Sequence, residues 1–321
     1  MCMKSSLIVL GLISSSAWAQ LATIDGLTGE LSLSTGFYSV ESNLNTHDDN
    51  KKLDRLDTTN KAVSGGLLLP LGSMRYTFGQ DLHQQIYAGT SREDIATGTL
   101  AFEVGYKYQF LSGMIIDLSI LPTIMSGEVW EDPYQRQGER KSTDEDGNAF
   151  RVKVENIGGS KFSIDLAHAT KDIENDVLGK KYQALRRDVD AFYFKTDYKY
   201  GLDNTTMIKP RVSFINAKAE GSANSFKEYG AELSYFKFLG RHQLALTAGI
   251  SGRDYDTINP VFKTKRKDED INLFIAYEYT NVMEWVNWSL ISFAGIKKSD
   301  SNIDFYDQKE GILSVGLNYQ W

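Results

Sequence analysis

The chain has 321 residues, with 42 Asp and Glu against 35 Lys and Arg, a net charge of −7, one cysteine, 17 tyrosines and 16 phenylalanines. The acidic balance argues against nucleic acid as a partner, and no stretch offers the ~18 consecutive apolar residues of a transmembrane helix. A single cysteine leaves no disulfide, and no thiolate cluster for a metal.

Met1 to Lys4 carry a basic residue, Leu7 to Ile13 are apolar, and Ala17-Trp18-Ala19 precede Gln20. Basic start, short apolar run and small residues before the cut are the pattern of a cleaved secretory signal peptide. The expected mature chain, 20–321, is one domain. Cys2 lies ahead of the apolar run and leaves with the signal, so the exported chain holds itself together by packing and backbone pairing.

From there the chain alternates with period two, the signature of strands. Leu31, Leu33, Thr35 and Phe37 oppose Glu30, Ser32, Ser34 and Gly36. The stretch from Met74 to Thr90 reads as one long strand or two. Leu100, Phe102, Val104, Tyr106, Tyr108 and Phe110 oppose Glu103, Lys107 and Gln109. Phe150, Val152 and Val154 follow, then Phe162, Ile164 and Leu166, then Phe192, Phe194, Thr196, Tyr198 and Tyr200. Ile208 to Phe214, Tyr229 to Tyr235, Leu244 to Ile250 and Leu273 to Tyr279 repeat the pattern, and Leu313, Val315, Leu317, Tyr319 and Trp321 carry it to the last residue. Short connections, at Leu71-Gly72-Ser73, Leu111-Ser112-Gly113, Gly158-Gly159 and Gly201 to Asn204, take turns with long polar ones. The long ones run from Glu41 to Asn60, Glu131 to Asn148, Lys171 to Asp190, Tyr255 to Asp270 and Ser299 to Lys309. Alternating apolar and polar faces with alternating loop lengths predict an all-β fold. It is an antiparallel transmembrane β-barrel of about 14 strands (12 to 16), with long loops outside the cell and tight turns in the periplasm.

The terminal strand, ending on aromatic Trp321, is similar to the last strand of Gram-negative outer-membrane barrels. With the signal pattern and the strand series, the whole chain resembles porin-like barrels of that membrane. The resemblance implies an outer-membrane location among lipid and lipopolysaccharide, and recognition of the strand ending at Trp321 by the barrel assembly machinery. Gly26 to Asn45, GLTGELSLSTGFYSVESNLN, also resembles the start of a family of exported proteins of unknown function.

If apolar faces meet lipid, the opposite positions line the lumen. The middle strands place Arg151, Lys153, Lys195, Lys199, Lys209 and Arg211 there as a basic arc. Glu30, Glu103, Asp117, Glu228, Glu232 and Glu278 form an acidic arc facing it. Opposed arcs set up a transverse field across a water-filled pore, which fits a channel for passive diffusion of small hydrophilic solutes, with no cofactor. The alternative is a closed or loop-plugged barrel whose charges pair with one another, in a structural or surface-binding role. An outer-membrane hydrolase is the third class. His47, His83, His168 and His242 have no serine and carboxylate beside them in sequence to make an activated base. Asp144, Asp146 and Gly147 fall on calcium-loop positions, but Lys153 occupies the place of the bidentate glutamate, so a solvated turn is expected there. Trp285, Trp288 and Trp321 read as an interfacial girdle, and Tyr38, Tyr193 and Phe274 as lumen aromatics. On the same face assignment, arginine at Val104 should be harmful and serine at Gly105 mild.

Overall fold

The computed structural model describes residues 21–90, 95, 101–122 and 127–321; the segment read as a signal peptide, and Leu100, lie outside them. Sixteen β-segments follow one another: β1 Gly26–Ser42, β2 Val63–Phe78, β3 Gln84–Gly89, β4 Glu103–Gln109, β5 Ile115–Pro122, β6 Gly127–Trp130, β7 Ser142–Glu155, β8 Phe162–Ile173, β9 Val189–Tyr198, β10 Tyr200–Asp203, β11 Thr206–Ala219, β12 Phe226–Leu239, β13 His242–Asn259, β14 Thr264–Thr280, β15 Trp288–Ser301 and β16 Gln308–Gln320. Each is antiparallel to its neighbours. Because β5 and β6 both pair with β7, and β9 and β10 both pair with β11, the segments make 14 staves. β1 pairs with β16 from Glu30↔Gln320 to Ser42↔Gln308, which closes the ring. Trp321 extends this seam, exchanging backbone hydrogen bonds of 3.1 and 3.0 Å with Gly29.

Burial runs opposite to that of a water-soluble protein. Phe37 is 71% exposed, Phe150 64% and Ile250 63%, while Ser34 and Asp165 are each 1% exposed and Ser234 is 0%. The outside of the ring is therefore apolar and the polar side chains of the staves point inward, the arrangement that a lipid exterior requires. The fold is a closed antiparallel barrel of the outer-membrane type. Trp285, Trp288, Tyr319 and Trp321 run along the turn end, with ring centroids 6.2, 5.0 and 6.1 Å apart in succession, as the expected girdle would.

Several boundaries differ from expectation. Leu71-Gly72-Ser73 is not a turn but the middle of β2, paired with Ser32, Leu31 and Glu30. A Cβ on Gly72 would sit 2.8 Å from the Glu30 carbonyl oxygen, so glycine there marks close backbone approach within a strand. The turn comes later, between Phe78 and Gln84, which resolves the Met74 to Thr90 stretch into two strands. The expected loop from Tyr255 to Asp270 is mostly strand, since β13 reaches Asn259 and β14 starts at Thr264. Likewise β7 starts at Ser142, so Asp144 and Asp146 lie on a strand paired with β6 and β8 rather than in a turn. Tyr200 to Asp203 is a strand as well, leaving 204–205 as the turn.

Candidate functional site: the lumen and its cap

All six residues of the expected basic arc turn away from the lipid face, and each is buried or half-buried. They do not stand apart from the acid. Antiparallel register sets inward residues directly opposite one another, and opposite charges there pair. Arg151 contacts Asp165 at 2.7 Å and Glu103 at 3.3 Å, and Lys195 contacts the same Asp165 at 3.0 Å. Lys153 and Lys199 each lie 3.3 Å from Glu155, and Arg211 pairs with Glu232 at 2.7 Å. Lys209, 1% exposed, extends over the Phe236 ring. In the acidic set, Asp117 accepts from the Tyr87 hydroxyl at 2.7 Å and pairs with Lys107 at 3.3 Å. Glu228 pairs with Arg253 at 2.6 Å, and Glu30 with Arg75 at 3.3 Å. Glu278 is half-buried on β14, opposite Gln243 and Ile291. Basic and acidic residues thus interleave stave by stave; two arcs separated by open lumen are not what forms. Asp165, Glu155 and Arg253 belong to neither expected arc, and neither does Lys107, which is expected on the polar face, although the same alternation places each of them inward.

What faces the charged wall is apolar. On β2, Leu67, Leu69 and Leu71 lie opposite the inward Gly36, Ser34 and Ser32 of β1, so they too point inward. Tyr38 and Val40 of β1, Ile312 of β16, Ile291 and Phe293 of β15 and Phe274 of β14 share that side by the same register. The stripe centres on the β16–β1 seam; the ion pairs of β7, β8 and β9 lie half a ring away, and those of β11 to β14 continue round to the edge of the stripe. Glu30 and Arg75 bound the stripe at the turn end, and the facing residues Lys297 and Glu310 bound it at the loop end.

Between the two walls lies a cavity of about 800 Å³. Tyr38, Phe274 and Ile312 contribute one side, and Arg151, Lys195 and Arg211 with their carboxylate partners the other; Tyr193 lines it as well, and Arg253 lies on β13 beside the apolar side. No histidine is among the described residues in its wall. His168 lies exposed on β8, 3.6 Å from Asp190, and His242 bonds the Tyr277 hydroxyl at 2.8 Å near a turn. His47 accepts a hydrogen bond from the Asp49 amide in a loop, and His83 packs edge-on to Tyr108. Among the described residues no three potential metal ligands converge.

Over the loop end the connecting segments pack into a cap. Loop 131–141 rises between the fifth and sixth staves, whereas loops 260–263 and 302–307 rise from nearly the opposite side of the ring. They meet at Tyr134, whose ring lies 5.3 Å from Phe262 and 5.0 Å from Phe305. Its hydroxyl hydrogen-bonds that of Tyr306, and Asn259 Nδ2 donates to both, at 3.2 and 3.0 Å. Burial raises the pKa of both tyrosines, which keeps them neutral. Arg140, 1% exposed, donates to the carbonyls of Asn43 at 2.8 Å, Pro133 at 3.1 Å and Asn50, with its guanidinium 4.3 Å from the Trp130 ring. Burial pushes its pKa down to about 10, so it remains a cation at neutral pH. A second apolar cluster, Leu178, Leu185 and Ala223, joins loops 174–188 and 220–225 to Tyr134. Contacts between loops from opposite staves mean that the cap spans the mouth.

A family model described as Protein of unknown function (DUF2860) matches residues 26–320. No curated protein matches the chain. Solved structures of similar architecture include a bacterial polysaccharide outer membrane secretin, 8% identical, covering 92% of this chain and 99% of that one with a TM-score of 0.44. An OmpT of Vibrio cholerae lacking loop L8 is 10% identical, with coverages of 92% and 100% and a TM-score of 0.43. An anion-selective porin from Comamonas acidovorans is 9% identical, with coverages of 92% and 99% and a TM-score of 0.42.

Proposed function

Because the chain belongs to the DUF2860 family of proteins of unknown function, its role has to be read from its own barrel, and we propose an outer-membrane channel through which small hydrophilic solutes diffuse passively. The observation that carries this is the cavity of about 800 Å³ in the ring, walled on one side by ion pairs. Fourteen staves enclose more width than side chains fill, since about eight already suffice for a side-chain-filled interior. In this reading the loops face the cell exterior among lipopolysaccharide, the turns face the periplasm, and the charged and apolar walls line the path. Residues 1–19 are a signal removed before assembly, leaving 20–321 as the barrel domain, and the assembly machinery engages the strand that ends at Trp321. A hydrolase is disfavoured because the cavity wall offers paired charges rather than an activated nucleophile.

Purified protein in a planar bilayer tests the proposal. Ohmic current steps are expected; a barrel that inserts but never conducts would overturn it. One observation favours the second reading, a closed barrel: the cap joins loops from opposite staves over the mouth. If silent wild-type protein began to conduct once the cap was cut by protease, the barrel would be a channel held shut by its loops.

A further inference from the structure

We infer that the solute suited to this lumen is two-faced and carries no net charge: a small zwitterion with an apolar flank. The inference rests on the channel reading and narrows its substrate class. Two independent features of the cavity carry it. One is the division of the walls, in which Tyr38, Phe274 and Ile312 face Arg151, Lys195 and Arg211 across the same space. A uniformly hydrophilic solute would leave the apolar side against water, whereas one with an apolar flank would cover it.

The other feature is charge balance. The described residues of the cavity wall include five cations and six carboxylates, and direct contacts couple most of them, such as Arg211 to Glu232 and Arg253 to Glu228. A wall of alternating, neutralised charge exerts little net field on an ion of either sign. It does present adjacent positive and negative poles, to which the ammonium and carboxylate of one zwitterion can both align. A net-charged solute gains one pole and is repelled by the next. The cavity is of the size that holds one small organic molecule.

Uptake of radiolabelled amino acids into proteoliposomes, corrected for protein-free vesicles, tests this. Phenylalanine and glutamine share the zwitterionic head and differ in the flank, and phenylalanine is the larger, so simple sieving favours glutamine. The expected result is faster entry of phenylalanine, by about fourfold for each methylene-equivalent that the stripe covers. Lysine and glutamate should both enter more slowly than glutamine. In Phe274→Gln/Ile312→Gln protein, checked for assembly by its heat-modified gel shift, the preference for phenylalanine should disappear. If wild-type protein passes glutamine as fast as phenylalanine or faster, the two-faced solute is wrong while the channel stands. If none of the four amino acids enters through protein that conducts ions in a planar bilayer, this inference is wrong while the channel stands; if the protein neither conducts nor passes any of them, both fail. Should the double variant not assemble, the wild-type comparison decides alone.

Discussion

Val104 and Gly105 are adjacent in β4 and face opposite media. Val104 is 41% exposed on the outer face, where an arginine at the bilayer midplane costs about 2 to 4 kcal/mol. Val104→Arg should therefore lower the yield of assembled barrel. Gly105 was expected to accept serine, but its inward side is occupied. A Cβ there would lie 2.6 Å from the Tyr87 ring, which crosses from the partner residue on β3 so that its hydroxyl reaches Asp117. Gly105→Ser must displace that ring and strain the bond to Asp117, an overpacking penalty of about 1 to 3 kcal/mol. We expect Gly105→Ser to destabilise nearly as much as Val104→Arg in a heat-modifiability gel. Tyr87→Ala should remove most of the Gly105→Ser defect and none of the Val104→Arg defect. Equal rescue of both would mean that Tyr87 acts through general stability instead of through space over Gly105.

Strands and loops draw on different sources of stability. Between staves, backbone pairing supplies cohesion and the side chains settle which face meets lipid. In the cap there is almost no strand pairing, and cohesion comes from buried aromatic contacts around Tyr134 and from one buried cation. Arg140 serves three separate carbonyl oxygens from two loops. Removing it leaves buried acceptors without donors, at a cost of about 1 to 3 kcal/mol each. Arg140→Ala should leave the barrel folded but make the segments 43–62 and 131–141 sensitive to protease added to intact cells. If the cap is what restricts current, the same variant should conduct more than wild type. A variant as resistant to protease as wild type would show that the aromatic cluster holds the cap without Arg140.

For the whole molecule, the proposed channel predicts that changing the lumen charge changes ion selectivity. Replacing Lys195, Lys199, Lys209 and Arg211 together by glutamine would be a clean test if these cations stood alone in water, but Lys195, Lys199 and Arg211 pair with Asp165, Glu155 and Glu232 and Lys209 is buried over the Phe236 ring. Breaking a buried pair by removing one partner costs about 3 to 5 kcal/mol, so the fourfold variant is expected to assemble poorly. Arg211→Gln alone is the usable form. It frees Glu232 in the cavity wall and makes the lumen one charge more negative, so selectivity for cations over anions should rise. The shift should be largest near 0.01 M salt, where the Debye length is ~30 Å, and fade as salt is added. Reversal potentials in a salt gradient measure it. Unchanged selectivity would put Arg211 outside the path of ions.

Alternation along a strand is a local property, and it determined by itself most of what is visible here: the strand series, the two faces, the number of staves and the inward direction of Arg151, Lys195 or Glu103. It misplaced boundaries where a glycine could mean either a turn or a close approach, as at Gly72, and where polar residues continued a strand beyond the lipid, as from Tyr255 to Asn259. Which inward residues meet is not local. Arg211 finds Glu232 and Asp165 finds Lys195 through the register of neighbouring staves, and a shift of one residue would send each side chain to the other face. The opposition of Tyr38 and Phe274 to Arg151 exists only because β16 closes on β1 and bends the series into a ring. Tyr134 and Phe305, 171 positions apart in the chain, meet only because that ring brings loops from opposite staves over one mouth. Period two can be read from a few neighbours in sequence, whereas closure and register depend on every stave at once.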